Sequence, residues 1–169
     1  MFEISRIKLK PAVSIVLMSL ALAGCGGDAS TYSGGPRGIF TSTIDCADNA
    51  NFDFKTCQTA VKAAIKAHND SSPTYNSKRV CQATERTCER TLNNKFRPRL
   101  IGFYVEAVED EKAEPVGKPL YAAVRGEKGF RDASNTIYLE TDLSIEFSRN
   151  AVAAYQAHSG GNPGGAFGT

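Results

Sequence analysis

A chain of 169 residues is long enough for one modest domain and too short for two sizeable ones. Its 20 Lys and Arg against 18 Asp and Glu give a formal charge of +2, and it contains no tryptophan. That balance excludes a strongly basic nucleic-acid binder, and the lack of Trp leaves no obvious sugar-stacking platform.

The chain opens on a signal. Arg6, Lys8 and Lys10 form a basic start, residues 11–20 an apolar run, and Leu22-Ala23-Gly24-Cys25 matches a bacterial lipobox. The run is too short to span a bilayer comfortably and ends in small residues. Residues 1–24 are therefore expected to be cleaved as a lipoprotein signal peptide, leaving Cys25 as an acylated N-terminus held in membrane lipid. Each buried acyl methylene contributes about 0.8 kcal/mol, so several chains make the attachment effectively permanent. Cleavage removes Arg6, Lys8 and Lys10 together with Glu3, which leaves 17 charges of each sign. The apparent basicity belongs to the signal. Gly26 and Gly27 stand where an inner-membrane retention signal of the enterobacterial type has Asp. For a Gram-negative source, the expected place is the outer membrane, facing the periplasm.

Residues 25–37, rich in Gly and Ser, read as a lipidated tether, residues 38–157 as the folded domain, and residues 158–169 as a flexible Gly-rich tail. Within the domain, residues 38–44, with Phe40 and Ile44, suggest an edge strand. Residues 54–68 keep helical spacing through Phe54, Cys57, Val61, Ala64, Ile65 and His68, with Asp53 placed as N-cap. His68 falls in the last turn, where a cationic side chain meets the negative end of the helix dipole. This structural role is preferred to a catalytic or metal role, because the other histidine, His158, lies in the tail. Ser71-Ser72-Pro73 turns the chain toward a second helix after Ser77, carrying Cys81, Cys88 and Leu92 on one side, so the pair reads as a helical hairpin. The period then changes. Residues 99–108 alternate around Leu100, Ile101, Phe103, Val105 and Ala107 as a strand. Shorter strands are predicted at 119–124 and 136–140, divided by Arg125-Gly126 and Ser134-Asn135, and residues 147–156, capped by Ser148, form a last helix. The expected fold class is α+β: a small disulfide-stapled domain in which a helical hairpin precedes a short antiparallel sheet.

Five cysteines less Cys25 leave Cys46, Cys57, Cys81 and Cys88, an even number in a protein expected in an oxidising compartment. Two disulfides follow, each contributing about 2 to 4 kcal/mol. On a continuous helix Cys81 and Cys88 lie about 10.5 Å apart along the axis, beyond disulfide reach. The hairpin then favours Cys57 with Cys88 and Cys46 with Cys81. A helix that breaks before Cys88 restores the local pairs. Neither pair has the C-x-x-C spacing of a zinc or thioredoxin-type centre, so no metal and no cofactor is expected.

Other constellations lack the residues their chemistry needs. Gly160-Gly161-Asn162-Pro163-Gly164-Gly165 has no following Lys-Ser or Lys-Thr and is not a phosphate loop. No G-x-S-x-G elbow and no H-E-x-x-H occurs. Lys95, Arg97 and Arg99 form a basic cluster, and Glu106, Glu109, Asp110 and Glu111 an acidic one. A solvated surface of mixed sign is preferred to an anionic-ligand site or to acid–base carboxylates. No catalytic residue is assigned.

The order of Cys25, Cys46, Cys57-Gln58-Thr59-Ala60, Pro73-Thr74-Tyr75, Cys81 and Cys88, then Phe96-Arg97-Pro98-Arg99-Leu100-Ile101-Gly102-Phe103-Tyr104, resembles the YgiB family of bacterial lipoproteins, domain of unknown function 1190. Pro119-Leu120-Tyr121 and Gly164-Gly165-Ala166-Phe167-Gly168 are similar to its later motifs. Where that family tends to have Gly just before the position of Cys88, this chain has Ala83-Thr84-Glu85-Arg86-Thr87. The resemblance implies a lipoprotein with four domain cysteines and supplies no reaction. Two function classes stay open. The preferred one is a non-enzymatic envelope lipoprotein presenting a surface to an envelope protein or to the cell wall. The alternative is a thiol-redox, metal- or ligand-handling envelope protein, accessory to an ATP-grasp type enzyme of the kind often encoded beside YgiB-like proteins.

Overall fold

The computed structural model describes residues 34–110, 112–123 and 128–159. The expected signal peptide, Cys25, most of the tether and the tail from residue 160 lie outside these residues. In chain order the elements are β1 (Arg37–Phe40), α1 (Thr43–Ala47), α2 (Phe54–Ser71), α3 (Lys78–Glu85), β2 (Cys88–Arg90), β3 (Phe96–Pro98), β4 (Gly102–Glu106), β5 (Val116–Ala122), β6 (Gly129–Arg131), β7 (Ile137–Leu139), β8 (Glu146–Phe147) and α4 (Arg149–Ser159). Six strands form one sheet in the order β7-β6-β5-β4-β1-β8, and β2 with β3 forms a separate hairpin. The fold is α+β. Within the sheet only β1 and β8 pair in parallel; the expected antiparallel pattern holds elsewhere.

The period-2 alternation of the strands sorts apolar side chains to two faces. Phe40, Phe103 and Val105 meet Cys57, Ala60, Val61 and Ala64 of α2. Their neighbours Ile39, Tyr104, Leu120 and Ala122 meet Phe130 and, from α4, Ala151 and Tyr155. One sheet is thus covered by α2 on one face and α4 on the other. The closest approach is at Gly117 of β5, where an added Cβ would lie 1.8 Å from the carbonyl oxygen of Ala60.

Several elements match their predicted positions. Asp53 caps α2 by accepting from Thr56 N–H, Ser77 caps α3 through Val80 N–H, and Ser148 caps α4 through Ala151 N–H. Others differ for identifiable reasons. Residues 38–44 do not make an edge strand: β1 lies between β4 and β8, and Ser42 caps α1 from residue 43. The tether ends earlier than expected, since Arg37 already pairs with Glu106, and α4 runs on to Ser159, past the expected start of the tail. The two helices expected as a hairpin each pack chiefly on strands, α2 on β5 and β4 and α3 on β2 and β3.

The disulfides are local, Cys46 with Cys57 and Cys81 with Cys88, rather than crossed. The cause is the early end of α3. Arg86 adopts φ 67° and ψ −58°, a γ-turn closed by Thr87 N–H donating to the Glu85 carbonyl at 2.8 Å, and this stops the helix. The reversal brings the Cα of Cys88 to 6.3 Å from that of Cys81. Cys46 meets Cys57 because the turn through Asn49 folds α1 back against the start of α2, with Cα atoms 5.8 Å apart.

Candidate functional site

Polar side chains converge where α2 ends against the β2–β3 hairpin and β5. His68, in the last turn of α2, is only 2 % exposed. Its Nδ1 lies 2.8 Å from Ser72 Oγ and 3.1 Å from the Tyr121 hydroxyl, and those two hydroxyls are 3.1 Å apart. Its Nε2 lies 3.3 Å from Glu89 Oε1. Arg97 donates from Nε to the same Glu89 oxygen at 2.7 Å and from Nη1 to Asn69 Oδ1 at 3.0 Å.

Burial lowers the His68 pKa below its ordinary value, outweighing the opposing hydrogen bond to Glu89, while the nearby Arg97 charge lowers it further. The neutral ring donates from Nε2–H to Glu89 and accepts the Ser72 hydroxyl at Nδ1. Tyr121 keeps its proton, because burial raises its pKa, and donates to Ser72 Oγ. His68 was expected to act as a cation at the helix end. Its burial makes it instead the uncharged centre of a relay.

Tyr121 also forms the wall of a second network. Arg131 of β6 pairs with Glu85 of α3, both buried, and the Tyr75 hydroxyl donates to Glu85. The Arg131 guanidinium carbon sits 5.3 Å from the centroid of the Tyr121 ring. A cavity of about 280 Å³ opens beside this pair, lined by Pro73, Thr84, Tyr121 and Asn135 among others.

On the other side of Ser72 lies a cleft of about 490 Å³, walled by Asn69, Ser72 and Thr74 and by the hairpin residues Arg90, Thr91, Leu92, Asn93, Lys95 and Arg97. A depression of about 540 Å³ near β8 has a different character, with Glu140, Asp142 and Glu146 in its lining. There Asp142 is bonded to Ser144 and Glu146 to Asn49 and Asn51, so these carboxylates serve turns and loops.

Ser72, His68 and Glu89 stand in the order of a catalytic triad. The surroundings do not suit a nucleophile. The Ser72 N–H is spent on the His68 carbonyl, and the hydroxyl lies at the negative end of α2, which disfavours a developing oxyanion. The arrangement orients a hydroxyl at the cleft wall and holds Arg97 in place. Among the described residues no three His, Cys, Asp or Glu side chains group as metal ligands.

The sequence clusters are divided by the fold. Lys95 and Arg97 come together in the cleft, whereas Arg99 lies near His158, whose pKa is lowered by burial and further by that charge. Glu106 is buried and accepts from the Tyr104 hydroxyl at 2.7 Å, Glu109 and Asp110 are exposed, and Glu111 lies outside the described residues. Sequence reasoning missed Ser72, Glu85, Glu89, Tyr121 and Arg131. One signal existed for Glu85: it follows Cys81 by four residues, on the same buried helical face.

A family model described as a protein of unknown function, DUF1190, matches residues 36–164. No curated protein and no solved structure matches the chain. No helix among the described residues is long and apolar enough to cross a membrane.

Proposed function

The chain belongs to the DUF1190 family, and from that premise we propose that it is a non-enzymatic envelope lipoprotein, anchored through acylated Cys25, whose stapled domain presents a binding surface on the periplasmic side of the outer membrane. The observation that carries this reading is the state of the cysteines. All four outside the lipobox are spent in two disulfides, each closing a short loop in an oxidised framework suited to the envelope. The lipobox supports the anchor, since an acylated Cys25 needs no membrane-spanning helix.

The thiol-redox alternative would need one of these bridges to open during function. The ligand-handling part of that alternative keeps a physical basis in the cleft, and is compatible with a binding role for the surface.

Radiolabelled palmitate fed to cells, followed by non-reducing alkylation and intact mass measurement of the membrane-extracted protein, tests the reading. Expected are a labelled protein, a mass four hydrogens below the reduced form, and no alkylation. Cys25→Ser should lose the label and leave the membrane fraction. An unlabelled wild type, or four thiols open to alkylation, overturns it.

A further inference from the structure

We propose that the cleft between the end of α2 and the β2–β3 hairpin is a binding site for the dianionic phosphoryl group of a phosphate monoester. The inference does not depend on acylation of Cys25.

The first ground is charge. Arg90 ends β2 and Lys95 stands in the connecting turn just before β3, both exposed, and neither side chain has a hydrogen-bond or ionic partner among the described residues. Arg97, the third cation, is already matched by Glu89. No carboxylate is among the residues lining the cleft, in contrast to the depression near β8. Two positive charges are therefore uncompensated, and they outweigh the roughly half charge at the end of α2. A phosphate monoester carries close to two negative charges above its second pKa of about 6, which matches this excess.

The second ground is the neutral lining. The Thr74 hydroxyl and the amides of Asn69 and Asn93 stand beside the cations, while the Ser72 and Thr91 hydroxyls, whose protons go to His68 Nδ1 and the Lys95 carbonyl, complete the wall. Donors from several directions suit a tetrahedral group with three terminal oxygens better than a planar carboxylate. The volume of about 490 Å³ lies in the range of small-ligand sites and admits a phosphoryl group with a small organic bearer.

The third ground is preorganisation. The Cys81–Cys88 bridge fixes the base of β2, and Thr91 N–H bonds to the Lys95 carbonyl across the turn at 2.8 Å. Tyr75 exchanges two backbone hydrogen bonds with Phe96, at 2.7 and 2.9 Å, tying the hairpin to the segment after α2. Both walls are thereby held before a ligand arrives, which lowers the entropy cost of binding. Leu92 stands fully exposed on the lip, beside the cations, where an apolar part of the bearer would lie.

The test uses the full-length protein in detergent, with its Cys25→Ser form in parallel so that anchoring and binding are read separately. Calorimetry at pH 8 with glycerol 3-phosphate probes a soluble monoester, and flotation with vesicles containing phosphatidic acid probes a membrane-borne one. Phosphatidylglycerol vesicles serve as the diester control. Binding to either monoester, stronger than to the diester, is expected. Arg90→Gln and Lys95→Gln should each weaken it about fivefold to tenfold, as loss of one charge-assisted contact does, with the double variant weaker still. Arg99→Gln, outside the cleft, should bind as wild type. Affinity unchanged in the double variant, equal binding to the diester, or no binding to any monoester overturns the proposal. Unchanged thermal midpoints would show that the exposed substitutions leave the fold intact.

Discussion

The two disulfides close loops of similar size, spanning 11 and 7 positions, yet they sit in opposite surroundings. Cys46–Cys57 is buried among Phe40, Phe52, Ala60, Val61, Ala64, Phe103 and Val105. Cys81–Cys88 is flanked by Glu85, which pairs with Arg131, and by Glu89, which meets His68 and Arg97. The same covalent device therefore does two jobs. In the first region it reinforces packing that apolar burial already favours. In the second it holds charged groups at fixed separations, where their own hydration would otherwise pull them apart.

The contrast is broken most severely at the buried ion pair. Arg131→Met leaves the Glu85 carboxylate buried without a counter-charge, bonded only by the Tyr75 hydroxyl, and should cost about 3–5 kcal/mol in urea unfolding. Adding Glu85→Leu should recover much of that loss; a double variant as unstable as the single would show that the pair is not the source of the cost. Removing either disulfide by paired Cys→Ser substitution should cost about 2–4 kcal/mol. The readouts should diverge: loss of Cys81–Cys88 should also weaken monoester binding, while loss of Cys46–Cys57 should lower stability and leave the affinity of the folded fraction unchanged. Equal effects on binding would erase the distinction between the regions.

A smaller effect is expected at Asp45. Burial alone would raise its pKa, but hydrogen bonds from Ser148, Thr41 and Asn150 bring it below the ordinary carboxylate value. These bonds join α1 to the start of α4, so Asp45→Ala should cost about 1–3 kcal/mol by thermal or urea unfolding. Full stability in that variant would show that the two helices are held by packing alone.

Mild acid should act through two histidines, the buried His68 of the polar region and the half-buried His158 of α4. The folded-state pKa values of His68 and His158 are lowered by burial, so folding favours their neutral forms. Their contribution is complete above the unfolded imidazole pKa of about 6.5 and is lost as pH falls through that value toward the lower folded-state values. His68→Gln should flatten the decline in unfolding free energy between pH 7.5 and 5. A decline of unchanged steepness would remove His68 as its source.

Much of the framework was legible because its causes are local. Asp53, Ser77 and Ser148 mark helix starts through side-chain bonds reaching three residues ahead, and the alternation from Phe103 to Val105 marks a strand covered on both faces. The disulfide pairing was misread because it hinged on one backbone angle. Arg86 has no intrinsic preference for φ 67°, and the conformation is accompanied by a hydrogen bond from its Nη1 to the Ala123 carbonyl, 37 residues away. The short strands β6 and β8 were missed because three and two residues carry too little periodicity to stand out.

The candidate site shows the same division. Composition and spacing by themselves pointed to a lipoprotein signal and gave an even set of domain cysteines, an α+β pattern and a basic cluster of Lys95, Arg97 and Arg99. Only the tertiary structure decided that Arg90 joins that cluster and Arg99 leaves it, that His68 is buried among Ser72, Tyr121 and Glu89, and that Glu85 finds Arg131 across 46 positions. The reason is physical: caps and amphipathic periods are settled within a few residues, whereas the charge and hydration of a side chain depend on whatever the rest of the chain packs against it.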